Sequence, residues 1–525
     1  MGIYFNPNNG SFTKDRNYKI YIDKTGLLNY LNEQLGTPKN CIALSHARRF
    51  GKSHAAGMID AYYSKGCDSS NLFDDTEIAK SEDYRKYMNQ YNVIHLDISS
   101  AWDFHKEDLI EFIQKRVCED FVKEFKDTFD YSKDLYLLIN DVYQQTGTSF
   151  VIIIDEWDCA IRNSEDKELV HKYLQFLHSL FKSEESKSFL ALAYITGILP
   201  IKKIKDESAL NNFEEFTMLN SSPITEYYGF TESEVKSLCK EYKLDYDTVK
   251  AWYDGYHIDG MDMYNPNSVS MLIKKKCFDS YWKNTSSFAS INTFITMNYE
   301  GLKDDVMKML AGENVYVYTE SFQNDLITVG SKDEALTALI HLGYLGYDSE
   351  NGSAYIPNYE VKKAFQAALN AGSWTEIGKI ISRCDELLRE TISMNCDKVA
   401  EIIELAHDTY TSVLKYNDEN SLSCVLTMAY FTAPAYYNIV REMPAGKGFA
   451  DFVFIPRANA GMRPAMVIEL KYNKDADTAI KQIKEKRYHG ALEGYTDRVL
   501  LVGVSYDSES ADKKKHRCEI EEICI

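Results

Sequence analysis

Short apolar segments alternate with longer stretches of helical pattern between Asn40 and about Pro223, and this alternation constrains the fold more than any other feature. Strands that alternate with helices form a parallel sheet covered on both faces, and such strands are apolar throughout. The sequence therefore predicts an α/β domain near the start of the chain. Its predicted strands are Cys41–Leu44, Val93–Ile98, Phe150–Ile154, Leu190–Ile195 and, more weakly, Phe216–Leu219.

A Gly-Lys-Ser sequence follows the first of these strands and precedes a helical stretch at His54–Ser64. In such a strand, loop and helix, main-chain N–H groups face a phosphate, Lys52 reaches its β/γ oxygens and Ser53 ligates Mg²⁺. The usual motif would place its first glycine at His46, so a chance match stays open as the alternative. The predicted ATP-binding residues of this loop are Arg49, Phe50, Gly51, Lys52 and Ser53.

The third strand ends in two acids, Asp155 and Glu156. Carboxylates at the C-terminal ends of parallel strands lie where α/β sheets bind ligands. We predict that Asp155 holds the Mg²⁺ of bound ATP and that Glu156 orients and polarises the attacking water. Thr196, at the end of the next strand, could contact the γ-phosphate, although a plain strand end is equally compatible with the pattern.

Two apolar segments near the C-terminus flank a turn containing Asn459, Ala460 and Gly461, which predicts a β-hairpin. If the turn centres on Ala460, residue i faces residue 920 − i, so Asp451 lies opposite Glu469 because 920 − 451 = 469. Lys471 then lies on the same face as Glu469. Two carboxylates held about 5 Å apart repel each other unless a cation lies between them, so the pattern favours a metal site.

A divalent ion bound by Asp451 and Glu469, with the Lys471 ammonium beside it, could activate water and stabilise a pentavalent phosphate. We therefore predict phosphodiester hydrolysis with Mg²⁺, and Mn²⁺ as a possible substitute. Gln482, on the predicted helix Asp475–Tyr488, and Glu419, at the start of another helical run, are further candidates. The alternative is an exposed strand face carrying ordinary charges.

Composition limits the partners and the compartment. Lys plus Arg total 59 against 79 Asp plus Glu, a net charge of −20, so a nucleic acid would have to be held by local contacts only. Basic residues for such contacts include Lys481, Lys484, Lys486, Arg487 and the run Lys513–Arg517, although solvated surface is their default interpretation. Eleven scattered cysteines without a C-x-x-C pair, no basic leader and no long apolar run predict a cytoplasmic protein without membrane contact.

The pattern changes near residues 225, 310 and 414 and predicts four regions. These are a P-loop domain (1–225), a helical lid or connector (226–310), a winged-helix-like and helical region (311–414) and a C-terminal α/β domain (415–525). The winged-helix prediction depends on a helical run, Glu334–Leu342, followed by extended pieces at Tyr344–Asp348 and Ala354–Ile356. Its acidic character favours packing or protein contact over DNA contact.

These motifs together resemble those of bacterial proteins that join an AAA-type, ATPase-like domain to a C-terminal PD-(D/E)XK nuclease domain. The resemblance covers almost the whole chain. It is carried by Tyr21-Ile22-Asp23-Lys24-Thr25, Arg48-Arg49-Phe50-Gly51-Lys52-Ser53, Ile154-Asp155-Glu156-Trp157-Asp158, Ile195-Thr196-Gly197-Ile198, Trp252-Tyr253-Asp254-Gly255-Tyr256, Tyr264-Asn265-Pro266, Gly448-Phe449-Ala450-Asp451, Glu469-Leu470-Lys471 and Gln482-Ile483-Lys484-Glu485-Lys486-Arg487-Tyr488. The chain departs from the family at His46-Ala47, where Arg-Pro is usual, at His54, where an aliphatic residue is usual, and at Phe449, where Arg is usual.

The resemblance implies a P-loop NTPase sheet of the ASCE/AAA-like type and a nuclease fold whose metal ligands are Asp451 and Glu469. It implies that ATP binding or hydrolysis controls a Mg²⁺-dependent nuclease acting on nucleic acid, DNA being the favoured substrate, in a mobile-element or defence setting. The alternative is an ATP-switched interaction protein whose nuclease-like domain serves as a scaffold. A homo-oligomer is compatible with either, because Arg48 and Arg49 could clamp phosphate in a neighbouring subunit or pair with surface acids.

Overall fold

The structure of the chain is a computed structural model. It describes all residues except 1, 202–209, 282–290, 292, 295, 296, 298, 323–328, 372–374, 415–418, 446, 447, 458, 459, 489–491, 493–495, 497, 509, 511–513 and 525. The described chain forms two compact units, and each is built from separate stretches of sequence. The first contains Met1–Val235, Tyr256–Lys274 and Val317–Gly352, and the second contains Lys236–Gly255, Lys275–Tyr316 and Ser353–Ile525. The division into four regions at 225, 310 and 414 stays a prediction.

The strands are β1 Cys41–Ser45, β2 Asn92–Asp97, β3 Phe150–Asp155, β4 Leu190–Gly197, β5 Glu214–Thr217, β6 Phe230–Thr231, β7 Tyr256–Ile258, β8 Met261–Tyr264, β9 Val315–Tyr316, β10 Gly346–Asp348, β11 Ser353–Tyr355, β12 Tyr437–Ala445, β13 Gly448–Pro456, β14 Ala465–Tyr472, β15 Arg498–Tyr506 and β16 His516–Cys524. The α-helices are α1 Gly10–Arg16, α2 Leu27–Gln34, α3 Lys52–Tyr63, α4 Ser70–Phe73, α5 Tyr84–Tyr87, α6 Ile98–Phe104, α7 Leu109–Phe125, α8 Leu135–Thr146, α9 Cys159–Asn163, α10 Lys167–Lys182, α11 Ser186–Phe189, α12 Glu232–Tyr242, α13 Tyr246–Tyr253, α14 Pro266–Lys275, α15 Leu302–Leu310, α16 Lys332–His341, α17 Tyr359–Ala371, α18 Thr375–Ile392, α19 Cys396–Leu414, α20 Glu419–Ala429 and α21 Ala476–Lys486. Among them, none is long and apolar enough to cross a membrane.

The first unit is built on a parallel sheet of order β2-β3-β4-β1-β5, so the predicted α/β fold with helices between parallel strands is confirmed. Strand β4 lies between β1, which leads into the Gly-Lys-Ser loop, and β3, which ends in Asp155. All five predicted strands are present, with bounds that differ by a few residues. Because the strands are parallel, their C-terminal ends bring the loop, Thr196 and Asp155 to one edge of the sheet.

Apolar side chains on the two faces of this sheet enter two separate cores. On β3, Ile152 and Ile154 pack in one core, whereas Val151 and Ile153 pack in the other. Since successive strand residues point to opposite faces, a strand buried on both sides needs an unbroken apolar run. This explains why Phe150–Ile154 contains no polar residue.

The second unit contains a mixed sheet of order β12-β13-β14-β15-β16. Strands β12, β13 and β14 are antiparallel neighbours, β14 and β15 are parallel, and β16 returns antiparallel to β15. Helix α21 connects the two parallel strands and packs Ile480 and Ile483 against Val467 and Val499 of the sheet. This mixed α/β arrangement confirms the fold predicted for the C-terminal part.

The middle of the chain has the predicted sequence of elements. Helix α16 is followed by the short strands β10 and β11, and α17, α18 and α19 occupy the stretch predicted as helical. In the first unit, β6, β7 and β8 form a small antiparallel sheet of order β6-β8-β7. This small sheet includes Tyr256 and Tyr264 of the two aromatic motifs identified from the sequence.

Candidate nucleotide and metal sites

The loop between β1 and α3 contains left-handed backbone positions directly before the helix. Within this described loop, the left-handed φ angles belong to Arg49 (68°) and Gly51 (90°). His46 occupies the position where the usual motif has glycine, but its backbone does not require one. Its buried ring lies 5.7 Å from the ring of Tyr228, and its Nε2 is 2.5 Å from the Ser221 hydroxyl. Burial lowers the pKa of His46 to about 3, so this imidazole stays neutral.

Lys52 is the first residue of α3 and is almost completely buried. Its ammonium donates to the carbonyl oxygens of His46 (2.8 Å) and Ala47 (2.9 Å), so the loop curls around the lysine. Burial lowers the pKa of Lys52 to about 8, against the opposing effect of Asp155 and Glu156. The neighbouring Ser53 is exposed at the start of the same helix. The two residues therefore lie side by side where the loop meets the helix, and their roles in phosphate and metal contact stay predictions.

Thr196 joins the two acids at the edge of the sheet. Its hydroxyl donates a short hydrogen bond to the buried Asp155 carboxylate and accepts one from the Glu156 main-chain N–H at 3.3 Å. Glu156 has a left-handed φ of 52°, which is uncommon for a residue other than glycine. A strained backbone at the end of a sheet strand is typical of a functional position. The structure thus brings together Asp155, Glu156 and Thr196.

An arginine that the sequence reasoning missed holds this region together. Arg162 lies in α9, and its Nη2 is 3.6 Å from Glu156 Oε2 while its Nε donates to Asp158 at 2.7 Å. Asp158 also accepts main-chain N–H groups of Ile198 (3.1 Å) and Leu199 (2.9 Å). The available signal was the i, i+4 spacing of Asp158 and Arg162, directly after the acidic pair.

A cavity of about 510 Å³ adjoins the Gly-Lys-Ser loop within the first unit. Arg49 and Gly51 line it on the loop side, and the aromatic rings of Tyr18 and Tyr21 line it on another. Its size lies in the range of small-molecule sites, which combine apolar walls with a few polar groups. Further lining residues are Phe50, His54, Met58, Phe230, Pro266 and Asn267.

The two aromatic motifs place polar groups against the same loop. Asn265 Nδ2 donates to the Arg48 carbonyl at 3.3 Å, and the ring of Tyr256 meets the edge of Phe50 at 5.2 Å. The N–H of Gly229 donates to the Phe50 carbonyl at 3.0 Å. These contacts hold the loop from outside, which gives the motifs a local structural role.

The C-terminal hairpin has the register that the sequence predicts. Phe452 faces Ile468, Val453 faces Val467 and Phe454 faces Met466, and each pair sums to 920. If the pairing continues by one residue beyond Phe452 and Ile468, Asp451 lies opposite Glu469. Consistent with this, Asp451 Oδ2 accepts the main-chain N–H of Leu470 at 2.7 Å. Asn459, predicted in the turn, lies outside the described residues.

Glu469 is the centre of a small polar cluster. Its side chain is 2% exposed, and its Oε1 accepts from the Lys471 ammonium at 3.0 Å and from the Gln482 amide in a short hydrogen bond. Gln482 also donates to the Tyr488 hydroxyl at 3.3 Å. The structure therefore brings together Asp451, Glu469, Lys471 and Gln482. Glu419 begins α20, but its side chain lies outside the described part of the chain.

The electrostatics of this cluster favour an added positive charge. Burial and the nearby Asp451 raise the pKa of Glu469 to about 7, although Lys471 opposes the shift. Glu469 Oε2 is buried and has no hydrogen-bond partner among the described residues. Such a lone buried carboxylate oxygen is costly unless a cation satisfies it. Among the described residues, no three His, Cys, Asp or Glu side chains are grouped so that they could hold a metal ion, so the protein would supply two carboxylates here.

The predicted basic rim is only partly described. Lys484 forms a short ion pair with Glu521, and residues 511–513 lie outside the description. His516, from the basic run, is buried and pairs with Glu404 at 2.8 Å, so it does not contribute an exposed charge. Phe449, where the resembling family has arginine, is 63% exposed.

Comparison with known families agrees with this geometry. Residues 11–205 match the family model described as a predicted AAA-ATPase, and residues 417–516 match that of the PD-(D/E)XK nuclease superfamily. The chain joins an AAA-ATPase-like domain to a PD-(D/E)XK nuclease-superfamily domain. The Gly-Lys-Ser loop and Asp155 lie in the AAA-ATPase-like domain, and Asp451, Glu469 and Gln482 lie in the nuclease-superfamily domain.

Similar individual proteins are distant. An uncharacterized protein in the vnfD 5′ region of Azotobacter chroococcum mcd 1 is 22% identical over 515 residues, which is 93% of each chain. The ORC2 protein of Aeropyrum pernix, in ADPNP-ADP complexes, has a TM-score of 0.32 and 10% identity over 66% of this chain and 91% of its own. The ORC1 protein of the same organism, in complex with DNA, has a TM-score of 0.27 and 10% identity over 70% of this chain and 98% of its own.

Proposed function

We propose that the chain is an ATP-binding protein whose AAA-ATPase-like domain controls a Mg²⁺-dependent nuclease acting on nucleic acid. One observation carries the nuclease part of the proposal: Oε2 of Glu469 is buried next to the Asp451 carboxylate and has no hydrogen-bond partner among the described residues. An acid pair of this kind, with a lysine on the other oxygen, is arranged for a divalent cation more than for packing.

The residues present fit a Mg²⁺ ion, with Mn²⁺ as a possible substitute. Asp451 and Glu469 supply hard oxygen ligands, and Mg²⁺ is commonly bound by one or two carboxylates together with waters and substrate phosphate. When bound, the ion would supply a water of lowered pKa and a positive charge for the phosphate oxygens.

The protein groups around the acid pair have separate tasks. Gln482 and Lys471 both donate to Oε1 of Glu469, which fixes the carboxylate and leaves Oε2 as the oxygen that would bind the cation. The Lys471 side chain is 13% exposed, so its ammonium can also neutralise a phosphodiester at the mouth of the site. The acids bind the metal, the lysine balances substrate charge, and the glutamine orients Glu469.

The nucleotide part of the proposal depends on the Gly-Lys-Ser loop. Lys52 and the N–H groups at the start of α3 would hold the phosphates, and Ser53 and Asp155 would ligate the accompanying Mg²⁺. The adjoining cavity would take the base, with Arg49 at its phosphate side. Glu156, held by Arg162 and Thr196, would polarise the attacking water.

Binding of Mn²⁺ to the acid pair should depend on pH. Because the pKa of Glu469 is about 7, the free protein must lose a proton to bind metal below that pH. We expect the apparent Mn²⁺ affinity to fall about tenfold per pH unit below 7 and to level off above it. Electron paramagnetic resonance of free Mn²⁺, measured between pH 5.5 and 8 without nucleotide, tests this.

Asp451→Asn should lose this binding, whereas Asp477→Asn, the same change at an exposed position of α21, should keep it. Equal, pH-independent binding by both variants would contradict a metal site at the hairpin.

Cleavage assays test the proposed activity itself. Labelled single- and double-stranded DNA and RNA are incubated with Mg²⁺ or Mn²⁺ and with or without ATP. Wild type should cut at least one substrate, and Asp451→Ala should reduce the rate by roughly 10³-fold or more, since removing a metal ligand removes the metal's contribution. The Asp477→Ala variant serves as the matched control.

The net charge of −20 favours one second candidate, an ATP-switched interaction protein with an inactive nuclease-like domain. If wild type binds Mn²⁺ and ATP but cuts no substrate under any condition, this second candidate replaces the nuclease.

A further inference from the structure

A buried tyrosine lies where helix α21 ends. The residue that follows the helix, Arg487, has a left-handed φ of 55°, so the chain turns sharply before Tyr488. Tyr488 is 2% exposed, and its ring belongs to the same core as Ile480 and Ile483 of the helix. A phenylalanine ring would fill the same space, so the hydroxyl of Tyr488 needs a separate explanation.

The hydroxyl contacts the side chain that orients Glu469. Gln482 Nε2 donates to the Tyr488 hydroxyl at 3.3 Å, and the same nitrogen donates the short hydrogen bond to Glu469 Oε1. A glutamine amide nitrogen carries two hydrogens, so one serves the carboxylate and the other serves the hydroxyl. The Gln482 amide is therefore held at two points.

The same hydroxyl lies against the strand that carries Asp451. Gly448 is the first residue of β13, three residues before Asp451. A Cβ atom at Gly448 would lie 2.9 Å from the Tyr488 hydroxyl oxygen, which is closer than an ordinary contact. The glycine therefore leaves room for the hydroxyl, which sits between the helix of Gln482 and the start of β13.

We propose that Tyr488 is a positioning residue of the acid pair, an inference that rests on the proposed metal site. Its hydroxyl holds the Gln482 amide against Oε1 of Glu469, which leaves Oε2 for the cation. Without the hydroxyl, the amide loses one of its two anchors and Glu469 is held less firmly. A carboxylate held in one orientation binds a metal more tightly, and partners outside the ligand set commonly change metal affinity or activity 10- to 100-fold.

The competing explanation is packing alone. In that case the ring fills the core, and the hydroxyl bonds Gln482 only because a buried polar group needs a partner. The substitution Tyr488→Phe keeps the ring and removes the hydroxyl, so it distinguishes the two explanations. Packing alone predicts a change in stability without a change in metal affinity, whereas a positioning role predicts weaker metal binding.

Titration of the full chain with Mn²⁺ at pH 8 without nucleotide, followed by electron paramagnetic resonance, tests the role. Tyr488→Phe should weaken Mn²⁺ binding about 2- to 10-fold, the range for losing one neutral hydrogen bond. Tyr437→Phe is the matched control, because Tyr437 is a buried tyrosine of the same sheet whose hydroxyl donates to the Pro464 carbonyl at 3.0 Å. This control loses a comparable hydrogen bond and should keep the wild-type Mn²⁺ affinity.

The contact with Gly448 supplies a second, independent variant. Gly448→Ala places a methyl group against the hydroxyl and should weaken Mn²⁺ binding about as much as Tyr488→Phe does. Added to Tyr488→Phe, the same change should cost nothing further, because the oxygen that the methyl group would displace is gone.

Two outcomes would overturn the positioning role: Tyr488→Phe binding Mn²⁺ as tightly as Tyr437→Phe, or Gly448→Ala having the same effect with and without the hydroxyl. Asp451→Asn, measured in the same titration, separates this inference from the proposed function. If Asp451→Asn loses Mn²⁺ binding while Tyr488→Phe keeps it, only the role of Tyr488 fails. If Asp451→Asn also keeps it, the proposed metal site itself fails.

Discussion

Replacing Glu469 with glutamine is expected to stabilise the metal-free protein at pH 8 while abolishing metal-dependent cleavage. The wild-type carboxylate is buried beside Asp451, and its pKa is raised from 4.5 to about 7. A raised pKa means that ionised Glu469 destabilises the fold: the cost is absent below pH 4.5, grows between pH 4.5 and 7, and is constant above. The corresponding free energy is up to about 3 kcal/mol at pH 8.

Hydrogen exchange of the β14 segment, Ala465–Tyr472, measures this effect where it arises, because exchange reports local free energies of opening. In EDTA at pH 8, Glu469→Gln should slow exchange relative to wild type, and at pH 4.5 the two should be equal. Adding Mg²⁺ should slow exchange in wild type only. Glu485→Gln, at an exposed position of α21, is the matched control and should change neither result.

A Glu469→Gln variant that exchanges faster than wild type at both pH values would show that the carboxylate stabilises the apo fold, and this would contradict the metal site. The exchange experiment therefore distinguishes a Glu469 that serves metal binding from a Glu469 that serves packing. A functional site that lowers stability is a common compromise in proteins.

The hairpin illustrates which features could be predicted from sequence. Its register follows from centring the connection on Ala460 and from the alternating side-chain direction of β-strands, so the offset of 920 required only the period of two. The predicted strands of the first sheet follow in the same way from unbroken apolar runs such as Phe150–Ile154. Local periodicity and parallel pairing were sufficient to bring Asp155 and Thr196 together.

Contacts that depend on long-range packing could not be predicted. Nothing local in the sequence indicates that His46 can replace a loop glycine, because that depends on Tyr228 and Ser221, far along the chain. The role of Arg162 depends on how α9 returns toward Glu156. The discontinuous units have the same origin, since Tyr256–Lys274 and Val317–Gly352 join the first unit only through tertiary contacts.

The substitution Lys52→Ala removes the ammonium and is expected to weaken ATP binding by about 10- to 150-fold, the range for losing a hydrogen bond to a charged group. The substitution Glu156→Gln removes the carboxylate charge that would polarise the attacking water. It should leave ATP binding near wild type and slow hydrolysis by roughly 10²–10⁴-fold. In wild type, ATP affinity should decline above pH 8, because the pKa of Lys52 is about 8 and only its protonated form attracts phosphate. Fluorescent-nucleotide titration and phosphate release measure the two steps.

The two variants then decide whether nucleotide controls cleavage. If ATP binding itself is the signal, Glu156→Gln in the presence of ATP should cut steadily at the rate of the ATP-bound wild type. Lys52→Ala should then cut at the ATP-free rate at ATP concentrations to which wild type responds. If hydrolysis is the signal, both variants should match the ATP-free rate. Lys65→Ala and Glu165→Gln, the same changes at exposed positions of the AAA-ATPase-like domain, should respond as wild type does. A nuclease rate that ATP does not alter in any of these proteins would contradict control by nucleotide and leave two independent activities in one chain.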